Sequence, residues 1–179
     1  FQEHGIPCFI DQKLAVDHHP LVEFIRSALE VVRKHWRYDS IFRCVKTDFL
    51  LPLELDQEAK WRYEMDELEN YVLAFGIQGS RWLDEQPWSY RLFQSLEVDE
   101  DEGDAGKIDR ETNLDRIHQL RNQIVRPLSS FQKRLSRAKN VREQTEAVYQ
   151  LLEEVEAARR LEAWSVNEVE SGQPYQAKQ

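Results

Sequence analysis

Six basic side chains lie close together in the sequence, and their types suit contact with phosphate groups. They are Arg126, Lys133, Arg134, Arg137, Lys139 and Arg142. Steps of seven and four residues place Arg126, Lys133 and Arg137 on one face of a helix. Guanidinium and ammonium groups on such a face can line a DNA backbone without reading its bases. This spacing predicts a DNA-binding surface. The alternative is a solvated face neutralised by the acidic residues at 143–156.

The charge of the chain is unevenly distributed, which favours the DNA interpretation. The formal net charge is −9, yet residues 107–142 hold ten Lys/Arg and three Asp/Glu, a net charge of +7. Residues 1–106 carry −11 and residues 143–179 carry −5. An acidic chain with one basic segment can still bind an anion locally, because its field falls off over a Debye length of about 10 Å.

A glycine-containing segment at 103–108 has some features of a phosphate-binding loop but does not meet its requirements. Four residues should separate the two glycines, and here Gly103 and Gly106 are separated by two. Ile108 stands where a hydroxyl group would bind Mg²⁺, and the preceding acidic run repels an anion. The sequence therefore predicts no nucleotide site here.

The residues that could bind metals or perform catalysis are also poorly arranged. His18 and His19 point apart as sequence neighbours, and a single Asp115–His118 pair is typical of a surface contact. Two widely separated cysteines form neither a disulfide framework nor a zinc site, and are typical of buried thiols in a reducing cytoplasm. Clustered carboxylates are typical of solvated helix faces, since acid–base catalysis requires a pocket that separates two pKa values. We therefore expect no catalytic, metal or cofactor residue in this chain.

Composition indicates a soluble globular chain, with 41% hydrophobic and 32% charged residues. No apolar run approaches the roughly 20 residues that span a bilayer, and no signal peptide opens the sequence. We therefore expect a cytoplasmic location and no membrane contact.

The sequence begins with Phe1 rather than Met and continues at once into an apolar run, so we expect a piece excised from a longer protein.

Apolar spacing predicts helices in the first half of the chain. One helix is predicted over 20–36, with His19-Pro20 at its start. A second, short helix is predicted to begin at Asp39, which would cap it, and to continue to residue 45. The next helix is predicted over 64–75, ended by Gly76. Residues 77–90 are predicted to be irregular.

The second half is predicted to hold the longest helices. Capping-like spacing at Thr112 and Asp115 precedes an apolar stripe over 114–135. Pro127 within the stripe predicts a kink or two nearly continuous helices. Asn140 with Glu143 resembles a further capping box, followed by a third helix that ends near 164.

The remaining segments complete the predicted fold class. Residues 6–10 are predicted to form one short N-terminal strand, residues 97–106 an acidic loop, and residues 168–179 a disordered tail. The predicted fold is thus mainly α, an irregular helical domain with one short strand.

Several blocks resemble a known family. They are Ile6–Lys13, His18–Glu30, Ile41–Asp48, Met65–Gly79 and Arg81-Trp82. In combination they are similar to the B subunit of the bacterial ATP-dependent helicase/deoxyribonuclease AddAB. The resemblance covers nearly the whole chain, with less distinctive residues over 107–165.

The resemblance implies a superfamily 1 helicase plan. Residues 1–18 would be the remnant of the second RecA-like domain, which explains a strand without partners. Residues 19–179 would be the helical insertion called the 2B subdomain. The parent would unwind and degrade DNA ends in double-strand break repair and homologous recombination, with an A subunit as partner. It would use ATP, Mg²⁺ and an iron–sulfur cluster, all bound outside this chain.

These observations lead to one functional prediction and one alternative. The chain is predicted to be a non-catalytic piece that positions double-stranded DNA or the A subunit. The alternative is a structural, protein-interaction module without direct DNA contact.

Overall fold

The computed structural model describes residues 19–53, 57–88 and 104–170. Most of this part is helical, and it contains no strand. The predicted mainly α class is therefore confirmed for the described residues. The predicted strand at 6–10, the predicted remnant at 1–18, and most of the predicted loop at 97–106 and tail at 168–179 lie outside them.

The first two helices form a tight pair. Helix α1 spans Pro20–Arg33, and helix α2 spans Tyr38–Val45. The predicted opening of α1 is confirmed, because the His19 side chain accepts a hydrogen bond from the Leu21 amide (3.2 Å) and Pro20 occupies the first helical position. The predicted Asp39 cap is wrong, since α2 begins at Tyr38 and Asp39 lies within its first turn.

A sharp turn separates α1 from α2, which is why α1 ends before residue 36. His35 and Trp36 both have left-handed backbone angles, with φ values of 53° and 58°. Such angles cost about 1–2 kcal/mol in a non-glycine residue, so tertiary contacts must hold them. The Trp36 indole donates to Gln132 (2.7 Å), and the Trp36 carbonyl accepts from the Gly79 amide (2.9 Å).

Helix α3 spans Glu58–Phe75 and ends at Gly76, as predicted. The φ of Gly76 is 58°, a left-handed angle that glycine adopts without a Cβ clash. The predicted irregular region contains a short 3-10 helix at Gly79–Leu83, whose Trp82 is fully buried. α3 begins six residues before the predicted start.

Helix α4, which spans Asp104–Arg137, is the longest element. It continues through Pro127, so the alternative of two separate helices is wrong. The predicted cap at Thr112 is also wrong, because the helix begins eight residues earlier. Residues 104–106, predicted as the end of the acidic loop, form the first turn of this helix.

Two helices, not one, follow α4. Helix α5 spans Val141–Glu154, and helix α6 spans Ala157–Glu170. The predicted cap is confirmed, since the Asn140 side chain accepts from the Glu143 amide (2.9 Å). The predicted single helix to 164 is wrong. Glu156 has a left-handed φ of 51°, which ends α5 and redirects the chain.

One apolar core joins the helices. α4 lies at its centre and packs against α1, α3, α5 and the 3-10 helix. Its buried side chains recur at helical spacing and form one stripe. They are Ile117, Leu120, Ile124, Leu128 and Phe131. In the described residues, no helix is long and apolar enough to span a membrane.

Candidate nucleic-acid interface

The outward face of α4 carries the predicted basic residues directly opposite its buried stripe. At about 100° per residue, Arg126, Lys133 and Arg137 fall within an arc of about 40°. Leu128 and Phe131 lie on the other side of the helix and are fully buried. Packing of the core therefore directs the three basic side chains toward solvent. We name Arg126, Lys133 and Arg137 the basic row.

The basic row is available for an external anion. All three side chains are exposed. None of them forms an ion pair with another described residue. A rise of about 1.5 Å per residue makes the row about 16 Å long. That length matches about five base-pair steps along one DNA strand, at about 3.4 Å per step.

Arg134 differs from its neighbours because it has a partner inside the protein. Its Nη1 contacts Glu154 Oε1 at 2.6 Å and the Ser130 hydroxyl at 2.9 Å. This ion pair connects α4 to the end of α5. The Arg134 side chain is partly buried. A bound phosphate would have to compete with this carboxylate, so the structure places Arg134 outside the freely available row.

Lys139 lies in the turn between α4 and α5, and Arg142 lies in the first turn of α5. Both are exposed, as is every residue from 139 to 146. The Lys139 amide donates to Glu143 Oε2 (2.6 Å), which fixes the backbone of the turn and leaves the lysine ammonium group outside this contact. The turn and the start of α5 therefore present two further cations near the end of the basic row.

Two arginines of the +7 segment have structural roles. Arg121 is 2% exposed, and its guanidinium donates to the carbonyls of Trp82 (3.0 Å), Asp84 and Gln86 (3.0 Å). It also lies over the Trp88 ring, 4.6 Å from the centroid. Burial lowers the pKa of Arg121. This side chain holds the segment after the 3-10 helix against α4 and is not available to DNA.

Arg116 is the second of these structural arginines. Its guanidinium forms an ion pair with Glu64 and lies 5.0 Å from the centroid of the Trp61 ring. These contacts connect α4 to α3. The net charge of the segment therefore overstates the charge offered to a ligand.

Two amide side chains continue the basic row toward the start of α4. Gln119 and Asn122 are exposed and precede Arg126 by seven and four residues. They also line an open groove of about 810 Å³ between α4, residues 49–53 and the α5–α6 junction. The sequence analysis missed these amides, although the same seven-and-four spacing identifies them.

The opposite wall of this groove carries two glutamates and the buried Arg160. Glu154 and Glu156 line it across from Arg126. Glu154 already contacts Arg134, while Glu156 contacts Arg159 at 2.9 Å. An anion is therefore expected to favour the end of the row near Arg137 over the end near the groove.

The described residues do not suit the metal and cluster chemistry considered from the sequence. They contain no group of three or more potential metal-binding side chains. His118 pairs with Asn122 (3.0 Å) rather than with Asp115. Cys44 is fully buried, and burial raises its pKa to about 12, which opposes the thiolate that an iron–sulfur cluster requires. The His18–His19 pair and the glycines at 103 and 106, which the sequence already disfavours as sites, include residues outside the described ranges.

Curated proteins similar to this chain are named as the B subunit of an ATP-dependent helicase/deoxyribonuclease. The chain is 48% identical, over 96% of its length, to the proteins so named from Bacillus mycoides (strain KBAB4) and Bacillus cereus (strain AH187). The Bacillus thuringiensis (strain Al Hakam) protein has the same identity over the same share. The resemblance to this B subunit is confirmed. The chain spans 14% of the length of these relatives. No family model matches the chain.

Proposed function

We propose that this chain is a non-catalytic helical segment of a helicase/deoxyribonuclease B subunit, and that it holds double-stranded DNA by the phosphate backbone. The observation that carries the proposal is the basic row, whose three cations are exposed, lie on one helix face and have no ion-pair partner among the described residues. Such a surface contacts phosphates without base specificity.

The proposed parent acts on DNA ends in double-strand break repair and homologous recombination, together with an A subunit. The names of the relatives support a role in unwinding and cutting DNA. ATP, Mg²⁺ and an iron–sulfur cluster would be bound elsewhere in that parent. In this proposal the segment keeps the duplex aligned with the parts of the protein that perform the reaction.

Charge reversal of the basic row tests the proposal. The variant Arg126→Glu/Lys133→Glu/Arg137→Glu should lose measurable binding to a fluorescent duplex of about 30 base pairs at about 50 mM salt, because three attractive contacts become repulsive. A matched control reverses Arg26, Arg33 and Lys60, three exposed cations outside the row. Both variants change the net charge equally, so only a local surface distinguishes them.

The two possible failures have different meanings. Equal loss in both variants would show that overall charge controls binding, not the basic row. If the unsubstituted chain has no salt-sensitive affinity for duplex DNA, the DNA role is wrong. Loss of association with the A subunit in the row variant, without any DNA binding by the original chain, would support the interaction-module alternative.

A further inference from the structure

The ion pair between Arg134 and Glu154 lies directly beside the basic row. Nη1 of Arg134 contacts Glu154 Oε1 at 2.6 Å and donates to the Ser130 hydroxyl at 2.9 Å. The Ser130 hydroxyl in turn donates to Glu154 Oε1 at 3.4 Å. These three side chains form a closed cluster, in which one carboxylate from α5 holds a cation and a hydroxyl group from α4. Glu154 therefore decides where the Arg134 guanidinium lies.

Helix geometry places Arg134 at the edge of the basic row. It follows Lys133 by one residue and precedes Arg137 by three, so at about 100° per residue it lies about 60° around the helix from Arg137. A rise of about 1.5 Å per residue separates these two positions by about 4.5 Å along the axis. Residues three apart on a helix are neighbours on its surface. An Arg134 side chain released from Glu154 can therefore reach a phosphate group bound at Arg137.

The guanidinium of Arg134 uses only part of its hydrogen-bonding capacity in this cluster. Its Nε and Nη2 atoms are shielded from solvent and have no hydrogen-bond partner among the described residues. A buried donor without an acceptor is unfavourable. A phosphate group, by contrast, can accept two parallel hydrogen bonds from a guanidinium. The charge of Glu154, rather than a complete set of hydrogen bonds, therefore holds Arg134 in place.

Arg134 is held less firmly than the two structural arginines of α4. Arg121 is 2% exposed and donates to three backbone carbonyls, and Arg116 lies over the Trp61 ring. Arg134 has neither a carbonyl nor an aromatic ring as a partner among the described residues, and its side chain is 25% exposed. Loss of the Glu154 charge is therefore sufficient to release this side chain toward solvent.

We propose that Glu154 limits the affinity of the basic row for DNA, because it withholds Arg134 as a further phosphate contact. In the unsubstituted chain the exposed cations bind phosphates, while the carboxylate keeps Arg134 on the α5 side of the helix. Removal of the Glu154 charge frees Arg134 to join Lys133 and Arg137 on the DNA backbone. The inference rests on the proposed DNA binding and assigns an affinity-determining residue within that surface.

Neutralisation of Glu154 tests this role, with fluorescence anisotropy of a labelled duplex as the assay. Each phosphate contact adds about 0.9 to the magnitude of the slope of log K against log salt concentration. Glu154→Gln should therefore increase that magnitude by about 0.9. Its gain in affinity over the unsubstituted chain should grow about 3.5-fold as salt falls from about 200 to about 50 mM. Urea unfolding checks that the variant folds, and Glu154→Ala is a second variant that should give the same gain.

Two controls separate the release of Arg134 from a general change in charge. Glu153→Gln removes the same charge from an exposed neighbour that forms no ion pair with another described residue, and it should leave the slope nearly unchanged. The double variant Arg134→Ala/Glu154→Gln should lose the whole gain, because the side chain that Glu154 releases is no longer present.

The results distinguish failure of this inference from failure of the proposed function. An equal gain in Glu153→Gln and Glu154→Gln would overturn the inference, since overall charge would then control the affinity. No gain in Glu154→Gln, or a gain that persists without Arg134, would also overturn it and would leave the proposed DNA binding intact. Absence of salt-sensitive binding by the unsubstituted chain and by every variant would instead overturn the proposed function and, with it, this inference.

Discussion

The structure predicts how steeply DNA binding should depend on salt, because it separates available cations from occupied ones. Five of the six basic residues identified from the sequence are exposed, while Arg134 contacts Glu154. Each phosphate contact contributes about −0.9 to the slope of log K against log salt concentration. Five contacts give a slope of about −4.5, so affinity should fall about 500-fold between about 50 and 200 mM salt.

Single alanine variants test how many of these cations contact phosphate. Arg137→Ala should reduce the magnitude of the slope by about 0.9, because one exposed cation is lost. Arg134→Ala should leave the slope nearly unchanged, since its guanidinium is already bonded to Glu154 and Ser130. The assay is fluorescence anisotropy of the same labelled duplex over a series of salt concentrations. Arg33→Ala, which removes an exposed cation from α1, serves as the charge-matched control.

Two results would contradict this assignment of available and occupied cations. An equal reduction in slope for Arg134→Ala and Arg137→Ala would mean that the Arg134–Glu154 contact does not withhold this side chain from phosphate. A slope unchanged by Arg137→Ala would mean that the basic row does not contact DNA. Affinity alone does not distinguish these cases, because changes in stability also alter it, whereas the slope counts displaced counterions.

Three further predictions concern the framework that supports the basic row. Arg121→Met should lower the free energy of unfolding in urea by about 3 kcal/mol, because three backbone carbonyls lose their donors; a change below about 1 kcal/mol would contradict this role. Gly76→Ala should cost about 1 kcal/mol in the same assay, although no atom lies within 4 Å of the added methyl group, because the left-handed angle disfavours a Cβ. In a Cys8→Ser background, Cys44 should resist iodoacetamide at about pH 8 until the chain unfolds. Because burial raises the pKa of Cys44 from 9.0 to about 12, stability should also fall as pH rises through that window, where the unfolded thiol ionises first. Rapid alkylation of the folded chain would contradict this burial.

Sequence patterns predicted the helices where local signals and tertiary packing agree. The proline at the start of α1 and the glycine after α3 are local signals that the fold retains. The break between α5 and α6 has no such signal. The apolar spacing of Val148, Leu152, Val155 and Ala158 continues across it. Glu156 adopts the left-handed angle without being glycine. Tertiary contacts decide such a position, and spacing along the chain does not reveal them.

The sequence predicted which basic side chains share a face of α4, but not which of them already have partners within the protein. Helical spacing placed Arg126, Lys133 and Arg137 on one face, and the structure brings them together there. The sequence could not show that Arg134 contacts a carboxylate 20 residues away. Nor could it show that Arg121 is buried among carbonyls. Counting charges measures the net charge of a segment, whereas binding depends on which charges lack partners.

An acidic chain can hold DNA only where its own carboxylates are already occupied or turned away. The core achieves this for α4, since its buried stripe directs the basic row outward while Arg134 and Arg159 bind the nearest glutamates. The remaining negative charge lies mostly in residues 1–106, and such charge would repel DNA. Non-specific contacts of this kind give dissociation constants of about 10⁻⁴ to 10⁻⁶ M at physiological salt. Such weak binding would suit the proposed role of positioning a duplex, because tight or base-specific contacts would oppose movement of the DNA.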